Sequence, residues 1–164
     1  MRNFEKISFD SFSKQICDNR DLYDSIILPT RSTKYSAAYD IRGVEEVVIP
    51  PGESRIISTG LKVCMNNDEV LYIFSRSSFG YKYDVCLTNC VGVIDADYYN
   101  NSSNEGHFKV KLSNNGNSEF KVNINDRIAQ AVFMKYLVVD DEAEILTERV
   151  GGIGSTGKGD DNNE

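Results

Sequence analysis

The sequence is poor in the residues that bind metals and carry nucleophilic catalysis. Its 164 residues include one histidine, His107, and four cysteines, of which only Cys86 and Cys90 form a closely spaced pair. A structural zinc site has four ligands, usually supplied by two closely spaced pairs. This sequence has one such pair, so we do not expect a zinc site. The histidine lies in a stretch rich in asparagine and serine. We therefore expect His107 to lie in a turn, and we expect neither a substrate contact nor a Cys/His catalytic pair. The four cysteines are expected to be reduced thiols.

Long apolar runs and clustered positive charge are also missing. Apolar runs such as 26–28 and 47–49 are far shorter than the ~20 residues that cross a bilayer. The first ten residues lack the apolar region of a secretory signal, so we expect a cytoplasmic protein with no membrane contact. The net charge of −7 argues against binding a nucleic-acid polymer. A small anionic ligand, helped by a divalent cation, remains compatible with it.

The sequence does contain many short β-rich segments separated by Gly, Pro, Asn and Asp. This texture predicts an all-β fold, a jelly-roll-like barrel or sandwich. A short helix is predicted within 8–18, with Ser8 as its cap, because Phe9, Phe12 and Ile16 would share one face. The predicted strands are 44–49, 55–59, 71–74, 85–87, 108–112, 119–122, 128–136 and 145–146.

The C-terminal segment differs in composition from the rest. Residues 151–159 are rich in glycine and poor in apolar side chains, which favours a disordered end. A second interpretation is a flexible lid whose backbone N–H groups close on phosphate. We predict a single domain over residues 1–148, in which the extension 1–25 has no assigned function. Residues 149–164 are predicted to form the lid and tail.

Two segments carry side chains suited to phosphate chemistry. If residues 92–98 are extended, Asp95 and Asp97 project from one face, where a carboxylate could act as a general base or hold a metal through water. A solvated acidic turn is the alternative. The guanidinium of Arg76, followed by the hydroxyls of Ser77 and Ser78, suits phosphate oxygens, although surface turns have similar sequences.

Considered together, five segments resemble the five short motifs of the trimeric dUTPase family, and they occur in the same order along the chain. They are AAYDI at 37–41, SRSSFGYK at 75–82, NCVGVIDADY at 89–98, DRIAQ at 126–130 and RVGGIGSTG at 149–157. One such motif could arise by chance, but five in order across 26–157 form a specific signal. The stretch 97–107 is also similar to the enzymes of Gram-positive bacteria and their phages.

The resemblance implies a homotrimer that uses Mg²⁺ to hydrolyse dUTP to dUMP and pyrophosphate, which limits uracil incorporation into DNA and supplies dUMP for dTMP synthesis. Asp95 would orient the attacking water, and Asp40 would hold water on the Mg²⁺. A hairpin at 83–91 would recognise uracil. The implied substrate-binding residues are Arg76, Ser77, Ser78, Asn89, Gly92, Val93, Ile94, Tyr98, Lys109, Gln130, Arg149, Ile153, Gly154, Ser155 and Thr156.

Within this set the resemblance implies different roles. Tyr98 would lie against the deoxyribose and exclude a 2′-hydroxyl. The motif at 75–82 and Gln130 would bind phosphate from a neighbouring subunit, and Arg149 would close over the γ-phosphate with the lid. Ile153 stands where an aromatic residue usually covers uracil, so we expect weaker closure.

Two other functions fit parts of the sequence. The dCTP deaminases share the fold and some motifs, but they need a glutamate that the 92–98 segment does not offer. A phage-type protein that acts mainly through an unknown protein partner is the other. The acidic, basic and amide residues of the motifs are all present, which argues that catalysis is retained. These residues are Asp40, Arg76, Asp95, Gln130 and Arg149.

Overall fold

The computed structural model describes residues 1–145 and Gly151. Within this part, short strands dominate and helices are few, as the sequence predicted. The strands are β1 Asn3–Lys6, β2 Thr30–Arg31, β3 Tyr39–Arg42, β4 Val47–Ile49, β5 Ser54–Cys64, β6 Glu69–Phe74, β7 Val85–Leu87, β8 Val91–Asp95, β9 Phe108–Asn114, β10 Phe120–Val122 and β11 Arg127–Lys135. The helices are α1 Phe9–Gln15, α2 Arg20–Asp24, α3 Ser77–Tyr83 and a 3₁₀ turn, Ala96–Tyr98.

The strands form two antiparallel sheets and a two-stranded ribbon. The first sheet has the order β1-β5-β9-β7, the second β2-β3-β11-β6-β8, and the ribbon pairs β10 with β4. Apolar side chains of both sheets form one core, in which Ile41, Ile57, Leu71 and Leu112 are fully buried. In the described residues, no helix is long and apolar enough to cross a membrane.

Most predicted strands match observed ones, with shifted ends. The first half of 44–49 is not a strand, because the Glu45 carboxylate accepts the Ser58 N–H at 2.6 Å and the chain bends there. Ile145 lies in no strand, so the prediction for 145–146 fails at its first residue, and the second lies outside the described residues. Strands β1, β2, β3 and β8 and helices α2 and α3 were not predicted.

The predicted hairpin at 83–91 is wrong. Strand β7 pairs with β9 in the first sheet, whereas β8 pairs with β6 in the second. The chain crosses between sheets in a tight turn, in which Cys90 adopts a positive φ of 62° and its N–H donates to the Leu87 carbonyl. Residues 88–90 therefore bridge the edges of two sheets, which places them beside the gap between β8 and β9.

The N-terminal extension is part of the folded domain. Strand β1 adds to the edge of β5, and Phe12 of α1 is fully buried. Ser8 caps α1 as predicted, since its hydroxyl accepts the Ser11 N–H. The extension thus contributes core side chains and sheet hydrogen bonds, the role that the sequence alone left unassigned.

His107 ends a turn, as predicted, because its N–H donates to the Asn104 carbonyl, but its side chain belongs to the core. Its ring is fully buried, Nε2 accepts the Gly60 N–H at 3.1 Å, and Nδ1 lies 3.0 Å from Oε1 of Gln15. Because Nε2 accepts, the proton of the neutral ring sits on Nδ1 and is donated to Gln15. Burial, with a smaller effect of the Lys109 charge, lowers the pKa of His107 to about 4.

This pKa predicts how stability depends on pH. An unfolded histidine titrates near 6.5, so between pH 6.5 and 4 the unfolded chain binds more protons than the folded one. The free energy of unfolding should therefore fall as the pH drops through this window, by about 3 kcal/mol in total from this group. NMR of the single histidine should give a folded-state midpoint near 4, and urea unfolding of His107→Gln should show a weaker pH dependence. A folded-state midpoint near 6.5 would contradict the buried neutral ring.

Candidate active site

A cavity of about 440 Å³ opens where β8, at the edge of the second sheet, approaches β9 of the first. Its walls bring together seven of the predicted site residues. These are Asn89, Gly92, Val93, Ile94, Asp95, Tyr98 and Lys109, joined by Ile56, Ile73, Leu87, Thr88, Phe108, Val110 and Lys111. The lining is mainly apolar with a few polar groups, the composition of small-molecule sites.

The alternation of β9 explains how one strand serves both core and cavity. Phe108, Val110 and Leu112 are buried, while Lys109 and Lys111 point to the other face. Side chains two residues apart share a face of a strand, so the two lysines lie on one face of β9, and both residues line the cavity. The sequence prediction included Lys109 and missed Lys111, which the same period of two would have identified.

Gly92 allows β8 to pack closely on β6. It stands opposite Ile73 in the register, and an added Cβ would lie 3.1 Å from the Cβ of Ile73. That distance is shorter than ordinary van der Waals contact. A side chain at this position would displace Ile73, which is itself part of the cavity wall.

The two carboxylates of the 92–98 segment do not share a face. Asp95 is the last residue of β8 and lines the cavity, whereas Asp97 lies in the exposed part of the 3₁₀ turn that follows. The segment is extended only as far as Asp95, and Asp97 lies in an exposed turn, which was the alternative interpretation. The turn brings Tyr98, only 5% exposed, against the cavity instead.

The predicted phosphate-side residues form a second cluster elsewhere on the chain. The Asp40 carboxylate lies 3.3 Å from Nη1 of Arg127 and 3.9 Å from Nε of Arg76, and accepts the Ser32 hydroxyl at 2.7 Å. Burial raises the pKa of Asp40, but the hydrogen bonds from Ser32 and Arg127 and the two positive charges outweigh it, so its pKa is lowered. Asp40 is therefore ionised at neutral pH. Arg127 was not among the predicted residues.

Three more predicted residues lie around this cluster. Ser77 and Ser78 begin helix α3, with Arg76 as its N-cap, so the predicted turn is the start of a short helix. Gln130 is half-buried and its amide donates to the Ser75 carbonyl at 2.9 Å. None of these three residues lines the cavity that contains Asp95 in this single chain. The lid residues Arg149, Ile153, Gly154, Ser155 and Thr156 lie outside the described residues.

The described side chains are compatible with a metal ion whose ligands come mainly from a bound phosphate compound rather than from the protein. Among residues 1–145 no group of three or more His, Cys, Asp or Glu side chains could hold a metal ion. Asp40 is a single ionised, partly exposed carboxylate between two arginines. Mg²⁺ often takes one or two carboxylates together with phosphate oxygens and water, so one such carboxylate is compatible with it.

Comparison with known proteins decides the family. Residues 24–157 match the sequence pattern of the dUTPase family. The chain belongs to the dUTPase family. The deoxyuridine 5′-triphosphate nucleotidohydrolase of Lactococcus lactis is 49% identical over 133 residues, 80% of this chain and 89% of that protein. The enzyme of the same name from Nautilia profundicola is 35% identical over 143 residues, 85% of this chain and 96% of that protein.

Solved structures agree with this dUTPase fold. The dUTPase of Streptococcus mutans superposes with a TM-score of 0.71 at 38% identity, covering 84% of this chain and 98% of that one. The dUTPase of Staphylococcus aureus phage phi11 gives 0.67 at 19% identity, covering 90% and 97%, which shows a shared fold only. A variant of that phage enzyme coordinates a structural Mg(II) ion.

The packing at Gly92 is testable by substitution. Gly92→Ala should lower the free energy of unfolding by about 1–3 kcal/mol, the usual cost of overpacking. Gly80→Ala is the matched control, because Gly80 lies in α3 and a Cβ there meets no described atom within 4 Å. That control should be neutral or stabilising by roughly 0.5–1 kcal/mol, from helix propensity. Urea unfolding measures both, and equal stability of Gly92→Ala and wild type would contradict the close packing.

Proposed function

We propose that this protein hydrolyses dUTP to dUMP and pyrophosphate, with Asp95 as the general base. The observation that carries the proposal is the cavity that Asp95 shares with Tyr98 and Asn89. Its volume suits a nucleoside. Family membership and the names of relatives that are 49% and 35% identical support the reaction.

The cavity offers separate surfaces for base and sugar. Asn89, in the turn at 88–90, lines the cavity, and its side-chain amide offers uracil both a donor and an acceptor. The ring of Tyr98 lies against the position of the deoxyribose, and its burial leaves little space for a 2′-hydroxyl. We propose that these two contacts select base and sugar.

The reaction needs one proton transfer and one phosphorus–oxygen cleavage. Asp95 takes a proton from a water whose oxygen bonds to the α-phosphorus, while the bond from that phosphorus to the bridging oxygen breaks. The electron pair leaves with pyrophosphate, and dUMP remains. Lys109 and Lys111 supply positive charge beside the cavity of a protein with net charge −7. Mg²⁺, held by the triphosphate and through water by Asp40, would neutralise further phosphate charge.

We propose a homotrimer whose active sites combine two subunits. In one chain, the cluster of Asp40, Arg76 and Arg127 contributes nothing to the cavity of Asp95. A second copy could bring its arginines to the triphosphate. The apolar residues 137–139 after β11 are 60–96% exposed in the single chain, and such a patch favours burial between subunits.

Residues 149–164 are proposed to act as a lid. The guanidinium of Arg149 and the hydroxyls of Ser155 and Thr156 suit the γ-phosphate, and Gly154 offers a backbone N–H. Ile153 would cover uracil without ring stacking. Ordering each residue of such a segment costs about 1–2 kcal/mol, so closure should depend on the bound triphosphate.

Mixing two inactive variants tests both the base and the shared site. Asp95→Asn should lose about 10²–10⁴ in kcat while it still binds nucleotide, because the amide keeps the shape but is a poor base. Arg76→Ala should lose phosphate binding. After co-refolding at equal amounts, about a quarter of the sites of a cyclic trimer would combine an intact Asp95 with an intact Arg76 from the neighbour.

Pyrophosphate release from dUTP by the mixture should then recover to about a quarter of the wild-type rate. Each variant refolded alone is the control. If mass measurement shows that single trimers contain both variants and activity still does not recover, the shared site is contradicted. Wild-type turnover by Asp95→Asn alone would show that the base is another residue.

Truncation after Glu148 tests the lid. The removed segment is poor in apolar side chains, so the melting temperature should change little. The value of kcat for dUTP should fall strongly, because the contacts to the γ-phosphate are lost. In the full chain, Ile153→Phe should strengthen closure by about 0.5–1.5 kcal/mol through stacking on uracil. A truncated enzyme that melts far lower and keeps its activity would assign the segment a structural role.

A further inference from the structure

We propose that Gln15, in the N-terminal helix α1, is a positioning residue for the nucleoside half of the active site. It acts on Tyr98 through Asn104 and His107, and the inference rests on the proposed role of Tyr98 beside the sugar. The family match begins at residue 24, so α1 lies outside the part of the chain that defines the family.

The side-chain amide of Gln15 joins α1 to the loop after the 3₁₀ turn. Its Nε2 donates to the Asn104 carbonyl at 3.1 Å, and its Oε1 accepts the Nδ1–H of His107 at 3.0 Å. Nε2 also donates to the Ser11 hydroxyl one helical turn earlier, at 2.6 Å. The amide is thus held on its own helix and in turn holds two residues of the loop.

The same two residues hold the hydroxyl of Tyr98. Nδ2 of Asn104 donates to the Tyr98 oxygen at 2.8 Å and to the His107 carbonyl at 3.2 Å. The Tyr98 hydroxyl donates to that carbonyl at 3.3 Å. The polar end of a ring that lines the cavity therefore depends on the position of the 101–107 loop.

A second set of contacts fixes α1 itself against this loop. The Glu105 carboxylate accepts both the backbone N–H and the hydroxyl of Ser8, the cap of α1, and lies 2.7 Å from Nζ of Lys62. Burial raises the pKa of Glu105, but the hydrogen bonds from Lys62 and Ser8 outweigh it and lower its pKa. Glu105 is therefore ionised at neutral pH, and the start of the helix is anchored where Gln15 can reach the loop.

This arrangement makes sugar selection depend on α1. Without the amide, Asn104 and His107 each lose a partner, and the Tyr98 ring gains freedom to move away from the cavity. A substrate with a 2′-hydroxyl benefits from that freedom, whereas dUTP does not. The ratio of kcat/KM for dUTP to that for UTP is therefore the quantity that Gln15 controls.

The test uses Gln15→Met in the full chain, which keeps side-chain length and helix propensity but removes all three hydrogen bonds of the amide. Lys14→Met is the matched control, because Lys14 is exposed on the same helix. Tyr23→Phe is the stability control, since it removes only the hydrogen bond from Tyr23 to the Ile7 carbonyl, within the extension. Tyr98→Ala tests the site itself. A ratio of two kcat/KM values does not depend on the fraction of folded enzyme.

We expect Gln15→Met to lower the dUTP-to-UTP ratio about threefold to tenfold, the factor that corresponds to one hydrogen bond, and both controls to leave it unchanged. Suppose that Tyr98→Ala lowers the ratio but Gln15→Met leaves it within about twofold of wild type, which is below the effect of one hydrogen bond. That result overturns the inference. An equal fall in Tyr23→Phe also overturns it, because the effect is then general loosening. If Tyr98→Ala leaves the ratio unchanged, the proposed role of Tyr98 fails, and the inference fails with it.

Discussion

The bulge in β5 at Thr59 and Gly60 decides how the parts of the chain meet. Before it, β5 pairs with β9, and after it with both β1 and the start of β9. Gly60 has a φ of +67°, a conformation that residues with a side chain rarely adopt, so glycine is favoured at this position. The N–H freed by the bulge donates to His107, and the carbonyl accepts the Ile7 N–H. One irregularity thus joins the extension, the first sheet and the segment that carries Tyr98.

The two halves of the proposed site differ in chemistry because different elements build them. The nucleoside half lies at a gap between sheets, with apolar walls, one carboxylate and two lysines along β9. The phosphate half is a surface ion-pair cluster at the ends of β3, β6 and β11. In it Asp40 pairs with two guanidinium groups, at a distance from the cavity. Separate halves on one chain suit a site that is completed by assembly.

Local patterns in the sequence predicted those features of the fold that are decided by residues close together in the chain. The strand periods, the Ser8 cap and the all-β class follow from side-chain alternation and turn residues. Asp95 was singled out by the carboxylates of its segment, whereas Tyr98 was assigned a role only through motif resemblance. The sequence missed what long-range contacts decide: the burial of the His107 side chain was not predicted, because its partners, Gln15 and Gly60, lie 92 and 47 residues away. The hairpin at 83–91 was carried over from the family resemblance, whereas the chain crosses between the two sheets at 88–90.

The central claim is that the cavity beside Asp95 selects and cleaves dUTP. Pyrophosphate release from dUTP, UTP, dTTP and dCTP by the full-length protein with Mg²⁺ tests it most directly. We predict efficient release from dUTP, with kcat/KM for each of the other three lower by at least about tenfold, the effect of one lost buried polar contact or a methyl clash. Equal cleavage of UTP and dTTP, or deamination of dCTP in place of cleavage of dUTP, would contradict the account.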